Sequence, residues 1–365
     1  MKRMFKVLLI FFIVIIVAFG LFLITLALFE YRPADVTALD ISYQEDAEDN
    51  YLQLDTDIKV ITFNTGYASL SEDESFVMDG GDRGIMETQA AMEENLEGIS
   101  SILTREAADI VLLQEVDTDS HRSYNVNQNE YYQDILGGNS VLAYNYRCIF
   151  VPFPFNLQMM MRKVNSGVAT YSDYYYDEAE RIQLPGNFSW PVSMANLKRC
   201  MLVTRFQIDG SDKELVVINV HLSAYDDGTM RTEETLALQA LMAAEYQAGN
   251  YVVVGGDFNQ TFPDGLTDDD NYLYELRNED YWQAPALNSD LFSDDDFSFA
   301  TDATSPTCRL LNQAYDSVNL ENNQYYLIDG FILTNNITIE NVTTINEDFV
   351  YSDHNPVTMI FKLNS

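Results

Sequence analysis

The pattern of apolar and polar positions divides the chain into one long apolar run near its start and a series of short apolar segments after it. The long run, from Val7 to Phe29, contains no charged residue and follows Lys2, Arg3 and Lys6. At about 1.5 Å per residue it is long enough to cross a hydrocarbon core of about 30 Å. The pattern predicts one transmembrane helix in residues 1–30.

The length of this run also distinguishes two kinds of N-terminal segment. A cleavable signal peptide has an apolar core of roughly 7–15 residues followed by small residues at the cleavage site, whereas Leu26-Ala27-Leu28-Phe29 is a poor cleavage site. The run therefore predicts an uncleaved signal anchor. Because basic residues precede it, the positive-inside rule predicts a single-pass membrane protein with a cytoplasmic N-terminus and an extracytoplasmic chain after Glu30.

The short apolar segments after residue 56 are rich in β-branched residues, and several of them end in a polar side chain, as strands of an α/β protein do. Helical periodicity predicts helices at Glu87–Arg105 and Thr232–Gln247. The segment Thr261–Asn323 is acidic and lacks clear periodicity, which predicts loops and short helices. The predicted strands cover residues 58–64, 108–117, 167–171, 198–206, 214–222, 251–259, 326–333 and 357–363.

One boundary divides the part of the chain that follows the anchor. Residues 31–56 carry Pro33 and an acidic cluster over 45–49, which predicts a polar tether between the membrane and the remaining chain. Neither an internal repeat nor a second boundary follows. Residues 57–365 are therefore predicted to form one domain.

Composition limits the classes of partner. The formal net charge is −37, from 20 Lys and Arg against 57 Asp and Glu. Such a surface repels polyanions, which argues against a protein that wraps nucleic acid non-specifically but not against a nuclease with a metal at its site. The three cysteines, Cys148, Cys200 and Cys308, have no CxxC spacing. They predict neither a disulfide framework nor a zinc site, and leave buried thiols or one bridged pair as alternatives.

The polar residues at the strand ends are the candidate site. Ligands of α/β sheets gather outside the ends of strands, so we expect these side chains to meet. Their carboxylates and amides suit a hard cation such as Mg²⁺, and their imidazoles suit proton transfer. Together they predict metal-assisted phosphoryl chemistry. The candidates are Asn64, Glu115, His221, Asp257, Asn259, Asp329, Asp353 and His354.

Three further residues are predicted to contact the substrate. Arg122 and Tyr124 lie in the polar loop after Glu115, where either could contact a phosphate. Asn219 lies two residues before His221 and therefore on the same face of its strand. His121, in the same loop as Arg122, is predicted to be an ordinary surface residue.

Six short motifs resemble the signature segments of the endonuclease/exonuclease/phosphatase superfamily. In chain order they are FNTG, LLQEVD, NVHLS, GGDFN, IDGFI and SDHNPV, and they extend over nearly the whole predicted domain. The resemblance implies a four-layered α/β sandwich, in which two mixed β-sheets pack face to face with helices outside. It also implies that the domain is a metal-dependent hydrolase of phosphoric esters.

The resemblance implies a metal site built from acidic and amide side chains. Glu115 would be the principal ligand of Mg²⁺, with Mn²⁺ or Ca²⁺ as alternatives. Asn64 would assist the metal or the phosphate, and Asp353 would complete the metal or water network. Some nucleases of the family carry a further Asp at the position of Gly66, so that ligand is missing or replaced here.

The resemblance implies catalytic roles as well. Asp257 would orient or deprotonate the attacking water, and Asn259 would hold a phosphoryl oxygen. His354 would contact the scissile phosphate and exchange a proton, with Asp329 fixing its tautomer. His221 matches the deoxyribonuclease and sphingomyelinase branch, in which a second histidine acts as the general acid. The sequence does not identify a carboxylate partner for His221.

The sequence leaves the identity of the substrate open. The anchor and the acidic surface slightly favour a lipid or a small phosphodiester over nucleic acid. An extracellular nuclease for DNA or RNA is the alternative, because nucleases of the superfamily share these residues. A binding module with a degenerate site is a third, disfavoured by the unreplaced Glu115, His221, Asp257 and His354. The expected partners are the phosphoester substrate and, through the N-terminal helix, the membrane. The sequence indicates no obligatory protein partner.

The anchor can be tested on protein isolated from membranes. N-terminal sequencing is expected to find residues 1–30 retained, because the apolar run exceeds the roughly 7–15 residues of a cleavable signal peptide. A protein that begins after residue 30 would contradict the signal anchor.

Overall fold

The computed structural model describes residues 2–43, 50–186, 188–226, 228–265, 274–293 and 295–365. Its helices are α1 (Lys2–Leu28), α2 (Gln89–Glu106), α3 (Gln128–Leu136) and α4 (Thr229–Gln247). Its strands are β1 (Val36–Ala38), β2 (Ile58–Asn64), β3 (Ile110–Asp117), β4 (Asn139–Val151), β5 (Arg162–Ser172), β6 (Tyr176–Gln183), β7 (Cys200–Gln207), β8 (Glu214–His221), β9 (Tyr251–Asp257), β10 (Phe297–Ala300), β11 (Cys308–Arg309), β12 (Tyr325–Tyr326), β13 (Asp329–Thr334), β14 (Ile337–Thr344) and β15 (Val357–Leu363).

Most strands belong to two large sheets. The first sheet has the strand order β1-β6-β7-β8-β9-β13-β10, and the second has the order β14-β15-β2-β3-β5-β4. Neighbouring strands are antiparallel except β8 with β9 and β2 with β3, which are parallel. Both sheets are therefore mixed, which confirms the predicted fold class. The short strands β11 and β12 pair with each other outside these sheets.

The two sheets are held together by one apolar core. Leu112 and Phe361 of the second sheet pack in the same buried cluster as Val217 and Phe331 of the first. Each such side chain contributes about 1.5–3 kcal/mol relative to exposure. Helices cover the outer faces, with α4 against the first sheet and α2 and α3 against the second. This arrangement fixes the positions of the strand ends.

The predicted helices are present with small shifts at their ends. Helix α2 begins one residue after Thr88, whose hydroxyl accepts a hydrogen bond from the backbone nitrogen of Ala91 at 3.2 Å. This N-cap explains why the helix starts two residues later than predicted. Helix α4 starts three residues earlier than predicted, at Thr229.

The acidic segment 261–323 contains strand structure that the sequence analysis missed. Strand β10 pairs with β13 through Phe297–Thr334 and Ala300–Phe331. Four residues at the end of a sheet are too few for a recognisable period, so their conformation depends on the neighbouring strand. Residues 266–273 and 294 of this segment lie outside the described part of the chain.

The predicted tether is partly built into the domain. Strand β1 pairs with β6, with Val36 opposite Ile182, and the side chain of Leu52 is fully buried in the core. These residues add a strand to an open sheet edge and bury apolar surface, so they do not form a free tether. The acidic cluster 45–49 lies outside the described residues. The boundary at residues 56 and 57 stays a prediction.

All three cysteines are free and buried. Of the two alternatives left open by the sequence, the structure therefore has buried thiols at Cys148, Cys200 and Cys308.

Gly256 allows β8 and β9 to approach each other directly before Asp257. A Cβ atom at Gly256, whose φ is +153°, would lie 2.0 Å from the backbone oxygen of Val220. Any side chain at this position must therefore separate the two strands that carry His221 and Asp257.

Gly256→Ala is expected to lower the free energy of unfolding by about 3 kcal/mol or more, because backbone atoms on a central strand cannot move aside. Gly210→Ala is the matched control. It shares a positive φ, +74°, but has open space around its Cβ, so a cost of about 1 kcal/mol is expected. Urea unfolding in mild detergent measures both, and equal losses would contradict the argument.

Candidate functional site

The site lies where the carboxyl ends of the two parallel strand pairs meet. β2 and β3 pair Asn64 with Gln114, and β8 and β9 pair His221 with Asp257. Asp329 is opposite Asp257 at the start of β13. The strand registers therefore bring together polar side chains that are nearly 300 residues apart in sequence.

Asn64 lies at the centre of this cluster. Its Nδ2 donates to Oδ2 of Asp257 at 3.0 Å and lies 3.5 Å from Oε1 of Glu115. The same nitrogen is 3.4 Å from Nε2 of His354. The Oδ1 atom of Asn64 accepts a hydrogen bond from the backbone nitrogen of Gly66, which fixes the amide plane. Asn64 thus contacts the candidate metal ligand, the candidate base for the attacking water, and the imidazole of His354.

Glu115 is directed into the site by a β-bulge. Between Leu113 and Val116, strand β3 has one residue more than its partner β5, and Glu115 has φ of +57°. A bulge of this kind redirects a side chain that regular alternation would place elsewhere. Glu115 is half-buried, whereas the residues on either side of it in β3 are buried.

His354 is held by a buried carboxylate. Its Nδ1 lies 2.8 Å from Oδ2 of Asp329, and its Nε2 faces Asp257 and Asp353 at 3.7 and 3.9 Å. Burial alone would lower the pKa of His354, but Asp329, Cys308 and the other acidic groups raise it well above its ordinary value. The acidic neighbours of His354 therefore favour its protonated form, and Asp329 holds the predicted position.

His221 has the opposite electrostatic state. Burial, together with the charges of Arg199 and His354, lowers its pKa well below the ordinary value. Its Nε2 lies 3.4 Å from Oδ2 of Asp257 and 3.9 Å from Oε1 of Glu115. Asp257 is thus the carboxylate partner that the sequence could not identify.

Arg199 is a site residue that the sequence analysis missed. Its Nη1 donates to the backbone oxygen of His221 at 2.7 Å. Arg199 lies immediately before β7, in the hairpin that β7 forms with β8. Its proximity to His221 follows only from the pairing of these two strands. Ser352 was also missed: its hydroxyl donates to the backbone oxygen of Asn64 at 2.8 Å.

The carboxylates of the site carry more negative charge than the protein neutralises. Burial raises the pKa of Asp257 to about 6 and that of Asp353 to about 7, and it also raises the pKa of Glu115. Among the described residues, none of these three carboxylates forms an ion pair with a lysine or an arginine.

These observations fit a bound divalent cation. Burying carboxylates without compensating charge is costly, and oxygen donors are the ligands that Mg²⁺ prefers. In addition, Oδ1 of the buried Asp329 has no hydrogen-bond partner among the described residues. Donor atoms of Asp257, Asp329 and His354 lie within 4.8 Å of one another, as do those of Cys308, Asp353 and His354. A protonated His354 has no lone pair for a cation, so the carboxylates of these groups are the available donors.

Asn259 and Gly66 shape the site through the backbone. The backbone nitrogen of Asn259 donates to Oδ1 of Asp257 at 2.9 Å, and its Nδ2 donates to the backbone oxygen of Leu222 at 2.8 Å. Asn259 therefore orients Asp257. Gly66 has φ of +51°, and a Cβ there would lie 3.0 Å from Oδ1 of Asp353. A further aspartate at this position would be strained by the positive φ and crowded by Leu70, at 2.9 Å, as well as by Asp353.

Asn219 is not a substrate-binding residue. Its side chain is fully buried between the sheets, where it accepts from Gln114 at 2.8 Å and donates to the backbone oxygens of Leu113 and Ala169. The prediction was wrong because the face of β8 that carries Asn219 is covered by the second sheet at this depth.

Arg122 and Tyr124 also have partners inside the protein. The guanidinium of Arg122 binds both carboxylate oxygens of Asp117, at 2.9 and 3.0 Å, and lies 3.6 Å from the ring centre of Tyr67. The hydroxyl of Tyr124 donates to the backbone oxygen of Met86 at 3.1 Å. Neither group is offered to a phosphate, although the positive charge of Arg122 lowers the pKa of Glu115 in part.

Comparison with known proteins gives a family match and fold matches. The model of the endonuclease/exonuclease/phosphatase family matches residues 62–354. No curated protein matches the chain.

Three solved structures illustrate the fold similarity. An endonuclease/exonuclease/phosphatase from Beutenbergia cavernae is 17% identical with a TM-score of 0.57, over 85% of this chain and 72% of that one. One from Bacteroides vulgatus is 16% identical with a TM-score of 0.51, over 85% and 100%. ANGEL2, a 2′,3′-cyclic phosphatase, is 15% identical with a TM-score of 0.53, over 90% and 99%. At these identities the likeness shows the fold alone.

The opposite charge states of the two site histidines can be measured by NMR, because the chain has only three histidines. In metal-free protein at pH 7, His354 is expected to be protonated and His221 neutral, since acidic neighbours raise one pKa and burial with Arg199 lowers the other. Asp329→Asn should lower the pKa of His354 by removing its nearest charge.

His121→Ala assigns the third histidine signal and serves as the control, because His121 lies outside the cluster. A charged His221 at pH 7, or an unchanged His354 pKa in Asp329→Asn, would contradict these electrostatics.

Proposed function

Because the chain belongs to the endonuclease/exonuclease/phosphatase family, whose members are metal-dependent phosphoester hydrolases, we propose that it hydrolyses a phosphodiester with Mg²⁺ outside the cytoplasm. One observation carries the proposal. Around Asn64, the side chains of Glu115, Asp257, His221 and His354 form a connected network, in which each lies within 4 Å of at least one other.

The proposed metal ligands are Glu115 and Asp353, assisted by Asn64. Their uncompensated buried charge supports a divalent cation, and Mn²⁺ or Ca²⁺ share the preference of Mg²⁺ for oxygen. When bound, the cation draws negative charge from a phosphoryl oxygen.

The remaining residues of the site handle the water and the protons. Asp257, oriented by Asn259 and adjacent to the neutral His221, holds the attacking water and accepts its proton; a pKa of about 6 suits a base near neutral pH. The water oxygen forms a bond to phosphorus while one P–O ester bond breaks. His354, kept charged by Asp329, donates a proton to the leaving oxygen.

This assignment changes the role of His221. The family resemblance implies that the second histidine is the general acid, but burial and the charge of Arg199 lower the pKa of His221, which disfavours the charged imidazolium that a general acid needs. In the proposal, His354 is the acid and His221 supports Asp257 as the base.

The location is proposed from α1. This helix is long and apolar enough to cross a membrane, and no residue of its most apolar 18-residue window is buried. A signal sequence would have the same features, so the uncleaved anchor with a cytoplasmic N-terminus belongs to the proposal. A lipid or small phosphodiester is favoured over nucleic acid because a net charge of −37 repels polyanions. An extracellular nuclease is the alternative.

Removing either central residue is expected to abolish metal-dependent turnover. Glu115→Ala removes the main oxygen donor, and His354→Ala removes the charged acid; each should lower kcat by about 10²–10⁴-fold on bis(p-nitrophenyl) phosphate with Mg²⁺. Chelation by EDTA should have the same effect on the wild-type protein.

His121→Ala and Glu130→Ala are the matched controls, since both change the same residue types outside the cluster. Near-normal turnover in Glu115→Ala or His354→Ala would refute the assignment. Absence of metal-dependent hydrolysis by the wild-type protein on this diester and on plasmid DNA would favour a degenerate binding module.

A further inference from the structure

Large apolar side chains are exposed on two neighbouring loops, which we call the apolar tips. The first is the β4–β5 loop, residues 152–161, where Phe155 and Leu157 are 90% and 79% exposed. The second is the β6–β7 loop, residues 184–199, where Trp190 and Val192 are 68% and 53% exposed. Exposed apolar side chains grouped in this way mark an interaction surface.

The two apolar tips form one packed unit. The hydroxyl of Tyr146, on β4, donates to the backbone oxygen of Ala195 in the second tip at 3.0 Å. Beneath them, Val151 and Val164 belong to a small buried cluster that Leu197 contacts. The exposed residues are therefore carried on a supported platform.

The membrane-spanning candidate α1 ends against this unit. The ring of Phe22 contacts the ring of Phe150 at 5.9 Å between centroids, and Leu26 is only 4% exposed. Directly after the helix, Glu30 forms an ion pair with Lys198 at 3.3 Å. The apolar tips are thus continuous with the surface of the anchor.

The contact between Phe22 and Phe150 sets a depth in the membrane. Phe22 lies six residues before the end of α1 at Leu28, which corresponds to about 9 Å along the helix axis. When α1 crosses a bilayer, Phe22 lies within the hydrocarbon, and so does its partner Phe150. The β4–β5 loop begins two residues after Phe150 and therefore starts near the depth of this contact.

Polar and aromatic groups near the tips suit the headgroup layer. The guanidinium of Arg147 lies 5.4 Å from the ring of Tyr31, just after the anchor, and Arg147 and Arg162 are exposed. The chain has a net charge of −37, so two exposed arginines next to exposed apolar residues are an unusual local concentration of positive charge. Basic and aromatic residues are enriched where a protein crosses from lipid to water.

The apolar tips and the site occupy the same edge of the sandwich. β5 pairs Gly167 with Val116, beside Glu115, so its first residues and the β4–β5 loop extend past that end of β3. β7 pairs Met201 with Val220, beside His221, so the β6–β7 loop extends past the same end of β8. Strand register therefore directs both tips beyond the catalytic cluster.

A groove connects the second tip with the loop that follows His221. It has a volume of about 620 Å³ and is lined by Gly186 and Phe188 of the tip, and by Tyr225, Asp226 and Met230 on the other side. Thr229 and Glu233 complete its lining, and none of the lining residues belongs to the catalytic cluster. The groove therefore borders the second tip without forming part of the site.

We infer that the apolar tips insert into the outer leaflet, so that the site faces the membrane and hydrolyses a phosphodiester carried by a lipid. The inference rests on the proposed function. Hydrolysis adds one water across a P–O ester bond and yields a phosphomonoester and an alcohol. The lipid supplies the phosphodiester, and no other reactant is required.

Insertion is tested with the full chain in phosphatidylcholine nanodiscs. The chain has two tryptophans, so Trp282→Phe leaves Trp190 as the only tryptophan, and excitation selective for tryptophan isolates its emission from that of the tyrosines. Brominated acyl chains are expected to reduce Trp190 emission by about twofold, as for an interfacial aromatic residue. Ile135→Trp in a background without the other tryptophans is the control, because Ile135 is exposed near the opposite sheet edge. Equal emission of Trp190 with and without bromine would overturn insertion and leave a protein partner as the occupant of the tips.

The substrate is tested in nanodiscs of phosphatidylcholine, phosphatidylglycerol and sphingomyelin. Phe155→Ser with Leu157→Ser and Trp190→Ser should lower lipid hydrolysis about tenfold, and change turnover of bis(p-nitrophenyl) phosphate by less than about twofold, because only docking is removed. Ile135→Ser with Leu236→Ser is the matched control, since both residues are exposed apolar residues outside the tips.

The outcomes separate this inference from the proposed function. Cleavage of the soluble diester or plasmid DNA without release from any of the three lipids would overturn the lipid assignment and leave the phosphodiesterase intact. Failure on every substrate, including the soluble diester, would overturn both. Equal losses on lipid and soluble diester in the tip variant would show that the tips act on folding instead of docking.

Discussion

The structure depends on the placement of several carboxylates in a space that excludes most water. Glu115, Asp257 and Asp353 are costly to ionise there, and their raised pKa values express that cost. The protein compensates it in part with a charged imidazole at His354 and with the amide of Asn64. The remaining imbalance of charge suits the binding of a hard cation, as proposed for this site.

The two sheets accommodate this concentration of charge because they keep the apolar core apart from the charged groups of the site. The inner faces supply an apolar core, and the polar groups are confined to the edge where the parallel strand pairs end. Asp329 contacts Nδ1 of His354, and the backbone nitrogen of Asn259 donates to Asp257, so both of these side chains have fixed orientations. The geometry is therefore set by backbone pairing more than by the flexible reach of side chains.

Much of the site could be predicted from the sequence because its residues stand at strand ends, where apolar runs stop. Asn64, Glu115, His221, Asp257 and His354 were found in this way, and the structure brings them together. The family resemblance supplied the partnership of Asp329 with His354. The fold class followed from the same motifs.

The errors share a different physical origin. Asn219 was expected to point to the substrate because alternation puts it on the face of His221, but the depth of the opposing sheet decides which residues of a face are covered. Arg122 lies in the expected loop, yet Asp117 takes its guanidinium. Strands β1 and β10 are short and owe their conformation to the strands beside them. Each of these features depends on contacts between separate elements, which the sequence around the residue does not reveal.

The bulge at Glu115 also constrains how the chain can change. The additional residue in β3 interrupts its pairing with β5, so deletion of one residue would restore a regular ladder and improve backbone hydrogen bonding. The same deletion would turn the carboxylate away from Asn64. A chain shortened by one residue in β3 would thus pair more regularly with β5 but would lose the contact of Glu115 with Asn64, so the proposed role of Glu115 and the most regular sheet make opposite demands on the length of this strand.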